Sequence, residues 1–401
     1  MFMDRPKQAV ILAGGRGSRL GPFTETRPKP MVEVHGRPFL EYLVEMLREQ
    51  GFSEVLLLLG YLPHVVQDHF GDGGRFGVRI TYSVTAPEDL TTRRLLVARE
   101  QLDSVFLLMY CDNYWPMQFD RLWEQYVSSG APALTTVYSN KDRYSRDSVK
   151  VGADGFMEIF DRSRTTPGLQ GVEISYAILR RDLLDRLTDP DLLIEEALYP
   201  QLTREKKLAA HVTDHRYYSV GSPERLPLTN AFLARRPAVI LDRDGVLNRR
   251  APRGQYIRHV GEFEWLPGSL DALRAFREAG YRVIVASNQA GVARGQVTAE
   301  SLDDIHNKMR AEAAQAGGVI DAIYFCPHDW DAGCECRKPR PGLLFQAQRD
   351  FSLDLTRTCF LGDDERDLQA AEAAGAIGRL VTAQEPLVTH ATHLLTSQQR
   401  S

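Results

Sequence analysis

Short apolar runs recur along the whole chain and alternate with stretches of helical period, so the pattern predicts buried strands interleaved with helices. In the first half, residues 9–13 (AVILA), 54–59 (EVLLLL), 78–84 and 104–111 (SVFLLMYC) read as strands, and residues 38–50 and 62–70 as helices. Residues 192–202 (LLIEEALYPQL) form an acidic amphipathic helix, residues 205–212 begin the last sheet elements, and residues 223–236 read as a helix. A new apolar run starts after Pro237 and ends at Asp242; further strands follow at 281–286 (YRVIVA), 319–325 and 358–361. Helices separate them at 269–279 and 299–316, and the tail pattern HATHLL fits either a strand or a helix. The rhythm is α/β throughout. A chain of 401 residues exceeds one ordinary core, and the Arg235-Arg236-Pro237 punctuation divides it into domains 1–236 and 237–401.

Composition narrows the function classes. With 43% hydrophobic and 25% charged residues and a net charge of -4, the chain is globular and carries no basic excess, so no nucleic-acid partner is expected. No run is apolar enough for a membrane span, and the opening MFMDRPKQ does not fit a signal peptide. Three of the five cysteines crowd between 326 and 336, as for metal binding in a reducing, cytoplasmic setting rather than a disulfide framework. A homo-oligomer stays open.

The first strand breaks into GGRGSRLGPF. Gly14, Gly15 and Gly17 let backbone amides wrap an anion, and Arg16 and Arg19 add charge-assisted donors. The Arg27-Pro-Lys29-Pro30-Met31 segment brings a second cation, and Asp112-Asn113 ends a buried strand where an aspartate can hold Mg²⁺ against phosphates. These motifs resemble the sugar-1-phosphate nucleotidyltransferase family, with its GGxGxRL loop and PKPM segment, over residues 9 to about 233. The resemblance implies a Rossmann-like fold. It further implies that the three glycines cradle a nucleoside triphosphate, Arg19 stabilises departing pyrophosphate, Lys29 contacts the transferring phosphoryl and Asp112 binds magnesium. Three departures accompany it. The glycine-rich GTAGAL-type segment is replaced by Leu90-Thr-Thr-Arg-Arg-Leu95, Ser219 stands where a second metal-binding aspartate is usual, and the EKP segment is Phe160-Asp161-Arg162, with Arg162 left to grip phosphate. A working transferase and an inactive ligand-binding or scaffolding domain both remain open.

In the second half, VILDRDGVLN ends a strand in Asp242 and Asp244, whose period-2 spacing sends both to one side. Ser287-Asn288-Gln289, Lys338 and the Gly362-Asp363-Asp364-Glu365-Arg366-Asp367 run recur where later strands end. Phosphomonoester hydrolysis needs a nucleophile, a proton donor, cations over the phosphoryl oxygens and a metal. Asp242 can attack phosphorus, and Asp244 can protonate the sugar oxygen and later activate water. Ser287 and Lys338 can bind the phosphoryl oxygens. Asp363 completes a Mg²⁺ site with Asp242 and the carbonyl of Asp244, with Asp364 or Asp367 orienting a water. Cys326-x-His328-x5-Cys334-x-Cys336 can close a tetrahedral structural Zn²⁺ site that pins Arg337 and Lys338.

This half resembles the haloacid dehalogenase-like phosphatases, a Rossmannoid fold with a minimal cap, through DRDGVxN, NQAGVARG (288–295) and CRKPRPG (336–342). Within them it is similar to the D-glycero-D-manno-heptose-1,7-bisphosphate 7-phosphatase family, and histidinol-phosphate phosphatases share the motifs. The resemblance implies that Arg337 and Arg294, with Asn288, select a phosphorylated sugar. Asp364 departs from the lysine usual after the motif-four aspartate. The expectation is a sugar-bisphosphate phosphatase fused to a nucleotidyltransferase-like domain, with a histidinol-phosphate or other sugar-phosphate phosphatase as the alternative.

Overall fold

The computed structural model describes residues 4–252 and 254–398; the first three residues of the opening MFMDRPKQ lie outside it. The chain divides into two compact units, Met1–Leu233 and Ala234–Ser401.

In the first unit, strands β1 (Gln8–Ala13), β2 (Glu54–Leu59), β3 (Arg79–Val84), β4 (Val105–Tyr110), β5 (Ala133–Tyr138), β6 (Val172–Arg180) and β7 (Leu208–Thr213) build one sheet. Their order is β7-β5-β6-β4-β1-β2-β3. β1 runs parallel to β2 and β4, whereas β6 is antiparallel to β4 and β5. Ala9 and Ile11 enter one apolar cluster and Val10 and Leu12 the other, so both faces of β1 are covered. That is why this strand reads as an unbroken apolar run. Each such fully buried aliphatic side chain contributes about 1.5–3 kcal/mol.

The predicted helices occur at Phe39–Glu49, Pro63–Phe70 and Ile194–Arg204. The segment expected as a helix over 223–236 stops earlier: a 3-10 turn at Pro223–Arg225 leads into Leu226–Leu233. Arg235 then has a positive φ of 49°, which no helix accommodates.

The second unit is a five-stranded sheet of β8 (Ala238–Leu241), β9 (Arg282–Asn288), β10 (Ala322–Cys326), β11 (Cys359–Gly362) and β12 (Ile377–Leu380). The order is β10-β9-β8-β11-β12 and every pairing is parallel. Helices Ser269–Glu278, Ala299–Gln315, Gly342–Phe351 and Glu365–Ala374 follow the strands, and the HATHLL tail is helical within Leu387–Gln398. Among the described residues the stretch after β8 holds only a 3-10 turn at Val260–Glu262, so the cap is small. Because all strands run one way with β8 central, the residues that follow β8, β9 and β11 emerge at the same edge. Among the described residues no helix is long and apolar enough to cross a membrane.

Candidate functional site

At that edge of the second unit, Asp242 leaves β8 with its backbone N–H donating to the Leu361 carbonyl at 2.9 Å. Its carboxylate faces the Lys338 ammonium at 2.8 Å, and Lys338 also meets Asp367 at 2.7 Å and donates to the Ala286 carbonyl at 2.9 Å. The ammonium is thus enclosed by three acceptor groups, and the residue is 3% exposed. Burial would drive the Lys338 ammonium neutral, but Asp242 and Asp367 keep it charged, with its pKa above the ordinary value. Sequence reasoning gave Lys338 to the phosphoryl oxygens; the structure shows it balancing two buried carboxylates.

Asp242, Asp363 and Asp367 each offer an oxygen within 4.8 Å of the others. Burial raises the Asp242 carboxyl, against the pull of Lys338, and burial raises Asp363 to about 7 despite Arg250. Carboxyls that resist ionisation because they are buried together fit a hard divalent cation, whose charge removes the penalty. Gly245 makes this packing feasible: its φ is 93°, and a Cβ there would collide with the Asp363 carboxylate. The three carboxyls that could hold such a cation therefore include the Asp367 side chain, expected only to orient a water. Asp244 points its carboxylate elsewhere, leaving its carbonyl as its only route to a metal.

The Asp244 carboxylate accepts from Arg243 at 2.8 Å, Asn248 at 2.9 Å and Gln289 at 2.8 Å. Burial would raise it, yet Arg243 and these hydrogen bonds hold it below the usual carboxylate range. Gln289 also donates to the Ser287 hydroxyl at 2.8 Å, leaving that group's own proton for a ligand. The cavity here is about 700 Å³ and is bordered by Arg250, Arg294, Arg337 and Arg366 as well as Asp242 and Ser287. Arg294 pairs with Asp329 at 2.6 Å, and Arg337 donates to the His328 carbonyl at 3.2 Å. Asn288, expected at the substrate, borders this cavity, and its amide also accepts from the Lys338 N–H and donates to the Lys338 carbonyl, both at 3.1 Å, so it positions the lysine segment.

Cys326, His328, Cys334 and Cys336 converge, with Sγ and Nδ1 atoms 3.3–3.6 Å apart along successive contacts. Those edges approach the spacing set by four ligands at about 2.0–2.3 Å from one zinc ion. His306 is buried in the core, which lowers its pKa to about 4.

In the first unit, Lys29 pairs with Asp112, and the Ser219 hydroxyl donates to the Asp112 carbonyl at 3.0 Å. A Cβ added to Gly221 would lie 3.0 Å from the Ser219 hydroxyl, 3.3 Å from the Asp112 carboxylate and 3.6 Å from the Lys29 ammonium, so the glycine leaves these groups room to converge. Gly14, Gly15 and Gly17 border a cavity of about 350 Å³ together with Arg19, Lys29 and Asp112. Gly14 is not an open cradle. The buried Arg94 guanidinium packs on it, donating to the carbonyls of Gly14 (3.3 Å), Leu59 (2.7 Å) and Ala86 (3.0 Å). Arg94 lies on a helix, Thr91–Val97, where the resemblance led one to expect glycine-rich backbone. Arg162 pairs with Glu196 at 3.4 Å and borders a second cavity of about 510 Å³.

The nucleotidyl transferase family model matches residues 8–147 and the HAD-hydrolase-like model residues 335–394. The D-glycero-beta-D-manno-heptose-1,7-bisphosphate 7-phosphatase of Bordetella bronchiseptica is 45% identical over 143 residues, which span 36% of this chain and 79% of that protein. The chain belongs to that phosphatase family. A crystal structure of D,D-heptose 1.7-bisphosphate phosphatase from B. bronchiseptica, complexed with magnesium and phosphate, is 40% identical over 40% of this chain and 99% of that one, with a TM-score of 0.39. A Bacillus anthracis structure described as a glucose-1-phosphate thymidylyltransferase covers 56% of this chain and 94% of its own at 19% identity and a TM-score of 0.51, a likeness of fold alone.

Sequence reasoning missed Arg243, Gln289 and Asn248 as the group that holds Asp244 ionised in the phosphatase site. A signal existed: each lies within a motif already quoted, but an arginine between two aspartates reads as exposed until its 1% exposure is seen. It also missed Glu173 and Glu195 in the first unit. Burial, reinforced by Glu195, raises Glu173 to about 7. In the unfolded chain this carboxyl gives up its proton near pH 4.5, so raising the pH from there to about 7 favours unfolding. Glu173→Gln should therefore raise the melting temperature at pH 8, by an amount equivalent to at most about 3 kcal/mol, and change it little at pH 4.5. Melting curves at the two pH values check this, and equal shifts at both would contradict it.

Proposed function

We propose that residues 237–401 form a phosphatase that removes the 7-phosphate of D-glycero-beta-D-manno-heptose 1,7-bisphosphate through an aspartyl-phosphate. Residues 1–236 form a nucleotidyltransferase-like domain that joins a nucleoside triphosphate to the heptose 1-phosphate so released. The observation that carries the phosphatase reading is the buried Asp242 carboxylate at the tip of β8, paired with Lys338 and grouped with Asp363 and Asp367. The chain is 45% identical over 143 residues to a phosphatase of that name.

Asp242 attacks phosphorus, the bond from phosphorus to the sugar oxygen breaks, and that oxygen takes the proton of Asp244. Water then attacks the aspartyl-phosphate, Asp244 takes the water's proton, and phosphate leaves with Asp242 restored. Asp244 is ionised beside Arg243, and an arriving phosphate dianion raises its proton affinity toward the acid role. Ser287 and Lys338 bind the phosphoryl oxygens, and Arg294 and Arg337 border the room left for the sugar. Magnesium, held by Asp242, Asp363 and Asp367 with the carbonyl of Asp244, would offset carboxylate and phosphoryl charge. Zinc on Cys326, His328, Cys334 and Cys336 would be structural, with no open position. Free thiols in that set fit a cytoplasmic setting.

Phosphate release from purified protein with Mg²⁺ tests the substrate: heptose 1,7-bisphosphate should be hydrolysed faster than heptose 7-phosphate or histidinol phosphate. Preference for histidinol phosphate overturns the reading. Pyrophosphate release from a nucleoside triphosphate and heptose 1-phosphate tests the first domain. A second reading, ligand binding without transfer, is favoured by Ser219 standing beside Asp112 where a carboxylate is usual. If that hydroxyl is what limits transfer, Ser219→Asp should raise pyrophosphate release at least about tenfold by supplying a hard anionic ligand. No gain, with the parent inactive, leaves the binding-only reading in place.

A further inference from the structure

Around Asp244, three buried polar atoms have no hydrogen-bond partner among the described residues: Nη1 of Arg243, Oδ1 of Asn248 and Nε2 of His306. Arg243 is 1% exposed, Asn248 0% and His306 5%. A buried polar group left unpaired costs stability, so three in one neighbourhood call for a shared partner.

The fold brings them to one carboxylate from two directions. Arg243 donates through Nη2 to Asp244 at 2.8 Å and to Gln289 at 3.0 Å, and Asn248 donates through Nδ2 to Asp244 at 2.9 Å and to the Arg249 carbonyl at 2.8 Å. Both partners of that amide are acceptors, which fixes its orientation and leaves Oδ1 as the orphan. The Asn248 N–H also donates to the Arg243 carbonyl at 3.1 Å, so the two residues close one turn. His306 arrives from helix Ala299–Gln315, with its ring 5.5 Å from that of Phe325 in β10. Phe325 is the register partner of Ser287 in β9, and Gln289, two residues on, takes the second Arg243 contact. Arg243, Arg310 on the same helix and Asp244 all lie within electrostatic reach of the imidazole. Arg243 and Asp244 border the phosphatase cavity, whereas Asn248 and His306 do not. His306 can therefore influence the chemistry through the guanidinium, not by touching substrate.

The orphaned set matches one water molecule. Burial keeps the imidazole neutral, and in the tautomer with its proton on Nδ1 the Nε2 atom is an acceptor. Water can then accept from Arg243 Nη1 and donate one proton to Asn248 Oδ1 and the other to His306 Nε2. A leucine at 306 would extend the apolar cluster that already holds Ile305 and Met309, so an imidazole in that place needs a polar reason.

We propose that these three groups hold one internal water, and that His306 is a positioning residue: through this water it fixes Arg243, and so keeps the Asp244 carboxyl aimed at the leaving oxygen. The inference rests on the phosphatase reading, in which Asp244 protonates the departing sugar oxygen.

The test uses the full chain with Mg²⁺. The ratio kcat/KM reports the steps up to departure of the leaving group, where a sugar oxygen needs the Asp244 proton and the phenolate of p-nitrophenyl phosphate does not. His306→Leu should lower kcat/KM about tenfold or more for heptose 1,7-bisphosphate and less than about threefold for p-nitrophenyl phosphate. His306→Gln, whose side-chain oxygen can take the water's proton, should bring the bisphosphate value back to within about threefold of the parent. Melting curves establish that both variants are folded. Equal losses on the two substrates, no loss on either, or a His306→Gln chain no better than His306→Leu overturns the positioning role. Crystals of the parent chain, at a resolution that shows ordered water, should hold one within hydrogen-bond distance of all three atoms, and density without it overturns the inference whatever the variants do. A parent that hydrolyses neither substrate sinks the phosphatase reading instead, while the density still decides the water.

Discussion

Asp242→Asn should lower phosphate release by on the order of 10⁴-fold or more, the loss seen when a covalent nucleophile is removed from a site whose other groups remain. An amide cannot form the aspartyl-phosphate, yet it fills the same volume at the tip of β8. The fold should survive, because Lys338 keeps Asp367 at 2.7 Å and the Ala286 carbonyl at 2.9 Å. Losing one of two carboxylates leaves the ammonium with one counter-charge rather than none. Rapid-quench measurement of phosphate release, with circular dichroism as the folding control, checks both parts. Hydrolysis within tenfold of the parent in a folded variant would remove Asp242 from the chemistry.

Removing zinc should have the next largest effect, a loss of phosphatase activity of about a hundredfold or more together with a lower melting temperature. Cys336 lies two residues before Lys338, and Arg337 between them donates to the His328 carbonyl at 3.2 Å. With four metal ligands released, nothing covalent fixes this loop, and the ammonium that balances Asp242 and Asp367 loses its support. Cys334→Ser and chelation should act alike, and only the chelated protein should recover on adding zinc. One zinc per chain by elemental analysis is expected in the parent. Full activity in zinc-free protein with an unchanged melting curve would leave the cluster as four packed side chains. Asn288 offers a finer comparison. Because its amide clamps the Lys338 backbone, Asn288→Ala should lower kcat for the bisphosphate while leaving zinc content unchanged.

The chain shows how far a one-dimensional reading reaches. Strands such as Glu54–Leu59 and Val105–Tyr110 were legible because both faces are buried, which forces every position to be apolar. β6 was not singled out: half-buried positions alternate with buried ones at its start, where the polar Glu173 and Ser175 interrupt the apolar run. The HATHLL tail fitted two periods, and packing against helix Ser269–Glu278 accompanies the helical one.

At the sites the division is similar. Asp242, Ser287, Asp363 and the four zinc-type ligands were readable because each follows a strand or recurs at close spacing, and a parallel sheet gathers strand ends whatever the intervening sequence. The Asp367 carboxyl grouped with Asp242 and Asp363, Asn288 as a clamp on Lys338, and Arg94 seated on Gly14 were not readable. Each depends on partners 50 to 125 residues away, as with Asn288 and Lys338, whose separation is 50.

By itself, then, the order of residues determined which segments are strands and helices and which side chains arrive at the sheet edges, because those follow from local period and chain direction. Which carboxylate faces the cation and which faces an arginine was decided only by tertiary packing. Burial and the proximity of charges set ionisation and orientation, and neither exists until the strands are side by side.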